Sequence, residues 1–584
     1  MTGEARSIGE ASWLAPRETL SGSRHAVSSG HHLASAAAYS ILEAGGNAVD
    51  AGCCAGIALA VLHADEVDFG GVAPIMIRLA DGTTLTIDGL GVWPAGIPAD
   101  LFMREHGGEI PPGILYSVVP AAPDAWITAL REHGTMSFGE VAAAAIGLAR
   151  DGFAVFPLMA YGIELQAEEY ARWPANKAIY LPEGRPPRAG ERFVQTDLAA
   201  TLQAMADGER AAGGGREQGL EAARAVFYEG EIAERIVAYH EQHGGYVRAD
   251  DLASFRSRIE APVSTRWRDL EVLTCGPWSQ GPTLSQGLLI AEAAGLEGLA
   301  HNGADYVHLV TEALKCAFSD REHHFGDPRF VDVPLDRLLS AEHAAAQAAT
   351  IDPGRAAPGL PPALFGASQP LPPASGRDAT EAAAPSAGLP RAGTSYVCVV
   401  DRWGNAFSAT PSDGSSTPVI PGTGIVTSLR GIQSRPDPAH PSGVAPGKRP
   451  RLTPNPAILV REDGSTMPFG CPGGDMQIQA MLQVVLNVFH FGIGLQQSIN
   501  APRFSTWSFP NSFSPFEYLP AVLLLEDRFE EETIAELERR GHRVGRWPQF
   551  TRDAAAVEAI LSEAPTGFLH AAADPRQPAA AIVG

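Results

Sequence analysis

GTSYVCVVDRWGNAFSATPSDG, residues 393–414, sits where the texture of the chain changes. Before it, from about 352 to 393, the chain is rich in Pro, Ala, Gly and Ser with no periodic apolar face, which reads as an exposed linker. The β-branched run that follows reads as a strand to Val400, residues 401–405 as a turn, and Ala406 as the start of a second strand. If Val400 stands opposite Ala406, the hairpin register carried backward sets Thr394 opposite Ser412, provided no bulge intervenes. A threonine hydroxyl is a poor nucleophile without a base beside it. A chain-terminal threonine carries one in its own α-amine, with a pKa of roughly 7.7–8.0. A linker that ends in Gly393 and opens into a strand at Thr394 is what a cleavage site between those two residues needs.

Further along, FGCPGG (469–474) precedes a run whose apolar positions Ile478, Met481, Leu482, Val485, Leu486 and Phe489 follow the helical period. This is a strand-to-helix turn. Glycines there permit close backbone approach, and free N–H groups at a helix start can stabilise an oxyanion, so Gly473 and Gly474 are candidates. Alone, a threonine heading a strand or a Pro-Gly-Gly turn is ordinary structure. Elsewhere, small-residue helical patterns over 34–44 and 138–150 end at glycines, and short β-rich runs occur at 74–79, 84–88 and 270–274. The class is mixed α and β.

The 584 residues carry 43 Lys+Arg against 67 Asp+Glu, a formal charge of −24, which leaves no basic surplus for nucleic acid. The first thirty residues show no apolar run of signal-peptide length, and the strongly apolar stretch 51–62 is too short to span a bilayer. The expectation is a cytoplasmic protein with a buried helix at 51–62. The six cysteines form no CxxC pair and read as buried free thiols. His31-His32 and His323-His324 lack metal-site spacing and are read as surface or capping residues. No metal and no cofactor is expected.

At these residues the chain resembles the γ-glutamyltransferase family, threonine-type N-terminal-nucleophile hydrolases. The resemblance runs in order through GHHLA (30–34), AGGNAVD (44–50), SVVP (117–120), FYEG (227–230), EALK (312–315), AFSDR (317–321), GDP (326–328), VDVP (331–334), PGTGI (421–425), PGKRP (446–450), PGG (472–474) and APRF (501–504). It implies a precursor that cuts itself before Thr394. The implied products are a large chain 1–393 and a small chain 394–584 that stay associated in one four-layer αββα sandwich. It also implies Thr394 as nucleophile, Ser412 as the assisting hydroxyl and Gly473-Gly474 as the oxyanion hole.

The chain departs from the family at the substrate's α-carboxylate and α-amine. Where family members carry a clamping arginine this sequence has Leu90. The acidic segment matches residues 428–433, ending in Gln433, and the paired serines match Leu452 and Thr453. Residues 434–447 form a shorter loop than the lid of many members. New polar neighbours are Asp413 and Gly414, after Ser412, and Asp475, which either contacts an amide or cationic group of the substrate or favours the helix start electrostatically. These departures imply a self-processing amidohydrolase acting on a small acyl amide other than γ-glutamyl, similar to oxamate amidohydrolase or the cephalosporin acylases. Two alternatives stand beside it: a γ-glutamyl hydrolase or transferase with a rebuilt pocket, and an uncleaved binding homologue.

Overall fold

The computed structural model describes residues 16–383, 393–414 and 417–584. The expectations for residues 1–15 and for the linker end 384–392 lie outside the described residues. Two seven-stranded antiparallel sheets lie at its centre. One runs in the order Ala580–Val583, Ala26–Ser29, Val397–Val400, Ala406–Ala409, Ile75–Arg78, Thr84–Ile87, Ile259–Glu260. The other runs Leu20–Gly22, Leu569–Ala572, Glu558–Ser562, Thr466–Gly470, Ala457–Arg461, Leu270–Thr274, Val263–Trp267. In both sheets, strands from before and after residue 393 are hydrogen-bonded neighbours.

The hairpin strands are apolar throughout because both of their faces are buried. With the two-residue period of a strand, Tyr396, Cys398 and Val400 point to the second sheet, where they meet Leu273, Ile458 and Ile560. Val397, Val399, Phe407 and Ala409 point the other way and pack with helix Ala48–Leu62. That helix is buried along its whole length, and the Asn47–Asp50 capping box fixes its start. Gly52 is required there, since a Cβ would collide with the Phe407 ring. Against the second sheet lie Gly281–Ala293 and Met476–Phe489, sharing a core with Val272, Leu459, Met467 and Phe469.

The expected elements are present with small boundary shifts: helices His32–Glu43 and Phe138–Asp151, and strands Ile75–Arg78, Thr84–Ile87 and Leu270–Thr274. All six cysteines are buried and free. Among the described residues no helix is long and apolar enough to cross a membrane. Two expectations are corrected. The Pro/Ala-rich stretch is mostly exposed, yet its described part is tied to the body: Ala356 N donates to Arg540 O, Ser375 N donates to Tyr518 O, and a short helix forms at Ala379–Ala383. His31 does cap its helix, accepting from Leu33 N, but His31, His323 and His324 are all buried rather than on the surface.

Candidate active site

The register inferred from the turn is the one observed, with Val400 opposite Ala406 and Val397 opposite Ala409. Carried past the strand ends, it makes a bridge between Thr394 and Ser412. Their hydroxyl oxygens are 2.7 Å apart and both residues are buried. The backbone of Ser412 is held on its other side by reciprocal bonds with Val72, 3.0 and 3.2 Å. Ser412 Oγ also donates to the carbonyl oxygen of Gly393 at 2.6 Å. A carbonyl only accepts and a serine has one proton, so the Thr394 hydroxyl is the donor to Ser412 Oγ.

Two further donors reach the Gly393 oxygen: Arg430 Nη2 at 2.9 Å and the backbone N–H of Asp413 at 3.2 Å. Arg430 Nη2 also donates to Ser412 Oγ. Asp413 holds a φ of 122°, a region seldom adopted by a side-chain-bearing residue, and its amide faces the Gly393 carbonyl. Gly71 lies so close that a Cβ there would strike Ser412 and Asp413. Burial pushes the Asp413 carboxyl up to about 6, opposed by the Arg430 cation. Gly414 is buried behind it.

From Arg430 the contacts continue across the site. Nη1 donates to Gln433 Oε1 at 3.2 Å, Gln433 Nε2 donates to Thr453 Oγ1 at 3.0 Å, and Gln280 Nε2 bridges the carbonyls of Thr453 and Gly474, each at 2.9 Å. A chain of hydrogen-bonded residues, passing through Thr453 from its hydroxyl to its carbonyl, therefore links Thr394 to the carbonyl of Gly474. The two glycines adopt φ of 120° and 58°, and among the described residues no protein acceptor is bonded to either N–H. Gly473 is exposed and Gly474 half-buried, so this turn faces open space.

The structure thus brings Thr394, Ser412, Asp413, Gln433, Thr453 and Gly474 together, but it binds several of the expected substrate contacts to one another. Gln433 and Thr453 are buried and mutually bonded. Asp475 neither caps its helix nor leaves its carboxylate open: Arg321 is paired with Oδ1, which also accepts from Ser512 Oγ at 2.7 Å, and Ser512 N donates to Oδ2 at 2.7 Å. Leu90 and Leu452 meet in one apolar cluster with Val72, Cys275 and Trp278, next to Ser412. The contacts of Arg430 with Gly393 and Ser412, the bridge by Gln280 and the clamp by Arg321 have no signature in sequence spacing. Only the AFSDR stretch had marked out Arg321. Several other motif residues build buried ion pairs, as Arg449 does with Asp88 and Asp327 at 3.0 and 2.9 Å.

One cluster of described residues, His308, Glu312 and His542, has metal-ligand geometry, but its atoms other than His542 Nδ1 are already engaged. Lys315 Nζ and Ala357 N hold Glu312, and the two histidines bond each other at 2.9 Å. It shares no residue with the network around Thr394.

The gamma-glutamyltranspeptidase family model matches residues 34–584. The chain is 31% identical to the Acylase ACY 1 proenzyme of Pseudomonas sp. (strain SE83), over 96% of this chain and 94% of that one. It is 31% identical to the Oxamate amidohydrolase proenzyme of Klebsiella pneumoniae, over 94% and 97%. Its fold superposes on that of the cephalosporin acylase from Bacillus halodurans with a TM-score of 0.84 at 27% identity, covering 100% of this chain and 99% of that one. The chain belongs to the gamma-glutamyltranspeptidase family and is a hydrolase of the kind found among that family's transpeptidases and acylases.

Proposed function

We propose that this chain is a precursor that cuts itself between Gly393 and Thr394 and then uses Thr394 as the N-terminal nucleophile of an amidohydrolase. The observation that carries the reading is the buried Thr394–Ser412 hydroxyl pair directly at the Gly393 carbonyl. After the cut, the freed α-amine supplies the base, Thr394 Oγ1 attacks an acyl amide, Ser412 orients that hydroxyl, and the N–H groups of Gly473 and Gly474 receive the oxyanion. Water then releases the acyl group from the threonyl ester.

The products, residues 1–393 and 394–584, stay together because both sheets contain strands of both pieces, hydrogen-bonded to each other where the pieces meet. The helices on the two outer faces fit the αββα sandwich that the family resemblance implies. A small acyl amide other than γ-glutamyl is favoured by the apolar packing of Leu90 and Leu452. The second reading, a γ-glutamyl hydrolase or transferase, is favoured by the family as a whole.

The test is intact-mass measurement of purified protein and of Thr394→Ala, followed by a screen of primary amides and N-acyl amines. Two chains from the parent and one from the variant are expected. Cutting of Thr394→Ala at the same bond overturns the reading.

A further inference from the structure

Three donors converge on one carbonyl oxygen, that of Gly393, at 2.6, 2.9 and 3.2 Å. A peptide oxygen in a folded protein needs one partner, and two satisfy both lone pairs. One of these three belongs to a fully buried guanidinium. Burying a cation is costly, and the usual compensation is a bidentate bond to a carboxylate. Arg430 does not make that bond. Its Nε stays 3.4 Å from Asp413 Oδ1, and both atoms lack a hydrogen-bond partner among the described residues. Its Nη groups go instead to Gly393, Ser412 and Gln433. The side chain therefore keeps only a long ion pair with Asp413 through Nε, while its two Nη groups are turned to the carbonyl and its neighbours.

We infer that Arg430 is a catalytic residue of the self-cleavage, forming with Ser412 Oγ and the Asp413 amide an oxyanion cradle for the precursor's own peptide bond, distinct from the Gly473-Gly474 turn that serves turnover. The inference rests on the cut falling before Thr394. In the first step the Thr394 oxygen bonds to the Gly393 carbonyl carbon. Its proton passes to Ser412 Oγ and the Ser412 proton follows onto the Gly393 oxygen; Arg430 and the Asp413 N–H stabilise the negative charge that builds on that oxygen before the proton arrives. The C–N bond then breaks and that proton is delivered to the Thr394 nitrogen, leaving an ester and a free amine. Water hydrolyses the ester to the Gly393 carboxylate and the Thr394 hydroxyl. Gly393 holds the carbonyl in place because a Cβ there would run into the backbone of Glu66.

The experiment follows cleavage by intact mass in freshly purified Arg430→Ala and Arg430→Lys precursors, with Thr394→Ala alongside and circular dichroism as the check of fold. Loss of one oxyanion donor typically slows a reaction about 10²- to 10³-fold, and that is the slowing expected for Arg430→Ala. Arg430→Lys, which keeps the charge but loses the fork, is expected to fall between it and the parent. Free guanidinium at millimolar concentration is expected to accelerate cleavage of Arg430→Ala, which a merely structural role would not allow. Parent-rate cleavage in either arginine variant, or a folded Arg430→Ala precursor indifferent to guanidinium, overturns the inference and leaves the Thr394 reading intact. Cleavage of Thr394→Ala overturns that reading instead.

Discussion

Ser412 Oγ stands between the Thr394 hydroxyl, 2.7 Å away, and the Gly393 carbonyl oxygen, 2.6 Å away, so one side chain links nucleophile and scissile bond. Removing that hydroxyl takes a proton carrier from self-cleavage and an orienting partner from turnover. Ser412→Ala is expected to slow both, and a 10²-fold loss corresponds to about 2.7 kcal/mol of barrier. Single-turnover kinetics on cleaved Ser412→Ala check it; rates equal to the parent's would remove Ser412 from the mechanism.

Gly393 is sterically obligatory as well as chemically placed, because Glu66 packs against the position a Cβ would take. Gly393→Ala must displace the carbonyl from its three donors or push the Glu66 segment away. Maturation is expected to stall, with full-length chain persisting by mass spectrometry and a melting temperature below that of the Thr394→Ala precursor, since the added Cβ meets the Glu66 backbone. Rapid, complete splitting would show that the cradle tolerates displacement.

Poor use of γ-glutamyl donors follows from Leu90 and Leu452, which close an apolar cluster, and from Gln433, whose amide is held by Arg430 and Thr453. An α-carboxylate placed there loses water and gains no arginine fork, and an α-amine meets no carboxylate; each costs about 1–3 kcal/mol. A preference of about 10²- to 10⁴-fold for another acyl amide is expected in kcat/KM, measured with γ-glutamyl-p-nitroanilide beside simple amides. Best activity on γ-glutamyl compounds would establish the second reading.

The Asp475 carboxylate serves Arg321 and Ser512 in the interior. Breaking such a buried pair leaves an uncompensated cation and costs about 3–5 kcal/mol. Asp475→Ala is expected to lower the melting temperature markedly. An unchanged melting temperature with a raised KM would instead make Asp475 a substrate contact.

Asp68 accepts from the amides of Gly70 and Val426, 2.7 and 3.1 Å, yet burial pushes its carboxyl up to about 8. The folded protein thus holds a proton that the unfolded chain releases near the ordinary value of 3.8, so this group's contribution to stability falls as pH rises from there to about 8. Asp68→Asn keeps an acceptor for both amides and cannot ionise. Its stability relative to the parent is expected to grow between pH 4 and 8 and to level off above, measured by denaturant unfolding at several pH values. A pH-independent difference would refute the assignment.

The hairpin was legible because its information is local. β-branched residues, a turn ending in Gly404-Asn405 and strict antiparallel pairing fix the register, and the register alone sets Thr394 against Ser412. The Asp401 carboxylate reinforces that turn, accepting from Trp403 N and Asn405 N. The helix after the Pro-Gly-Gly turn was equally readable from its period. The attachment of the linker is not legible, because composition reports only the absence of an apolar face. It does not report that the amides of Ala356 and Ser375 donate to the carbonyls of Arg540 and Tyr518.

By itself the sequence determined the mixed class, the helix and strand positions, the buried thiols and the facing of the two hydroxyls, all of which depend on neighbours a few residues apart. Tertiary structure alone decided which polar groups remain open to a ligand. Asp475 and Gln433 look like free contacts in a linear chain, but Arg321 arrives from another helix to bind Asp475, and Thr453 arrives from another segment to hold Gln433, which Arg430 of its own 3-10 turn also engages. The same folding carries Arg430 onto the Gly393 carbonyl, 37 positions away. Long-range pairing of buried charges is set by the packing of whole elements, and no periodicity or spacing along the chain encodes it.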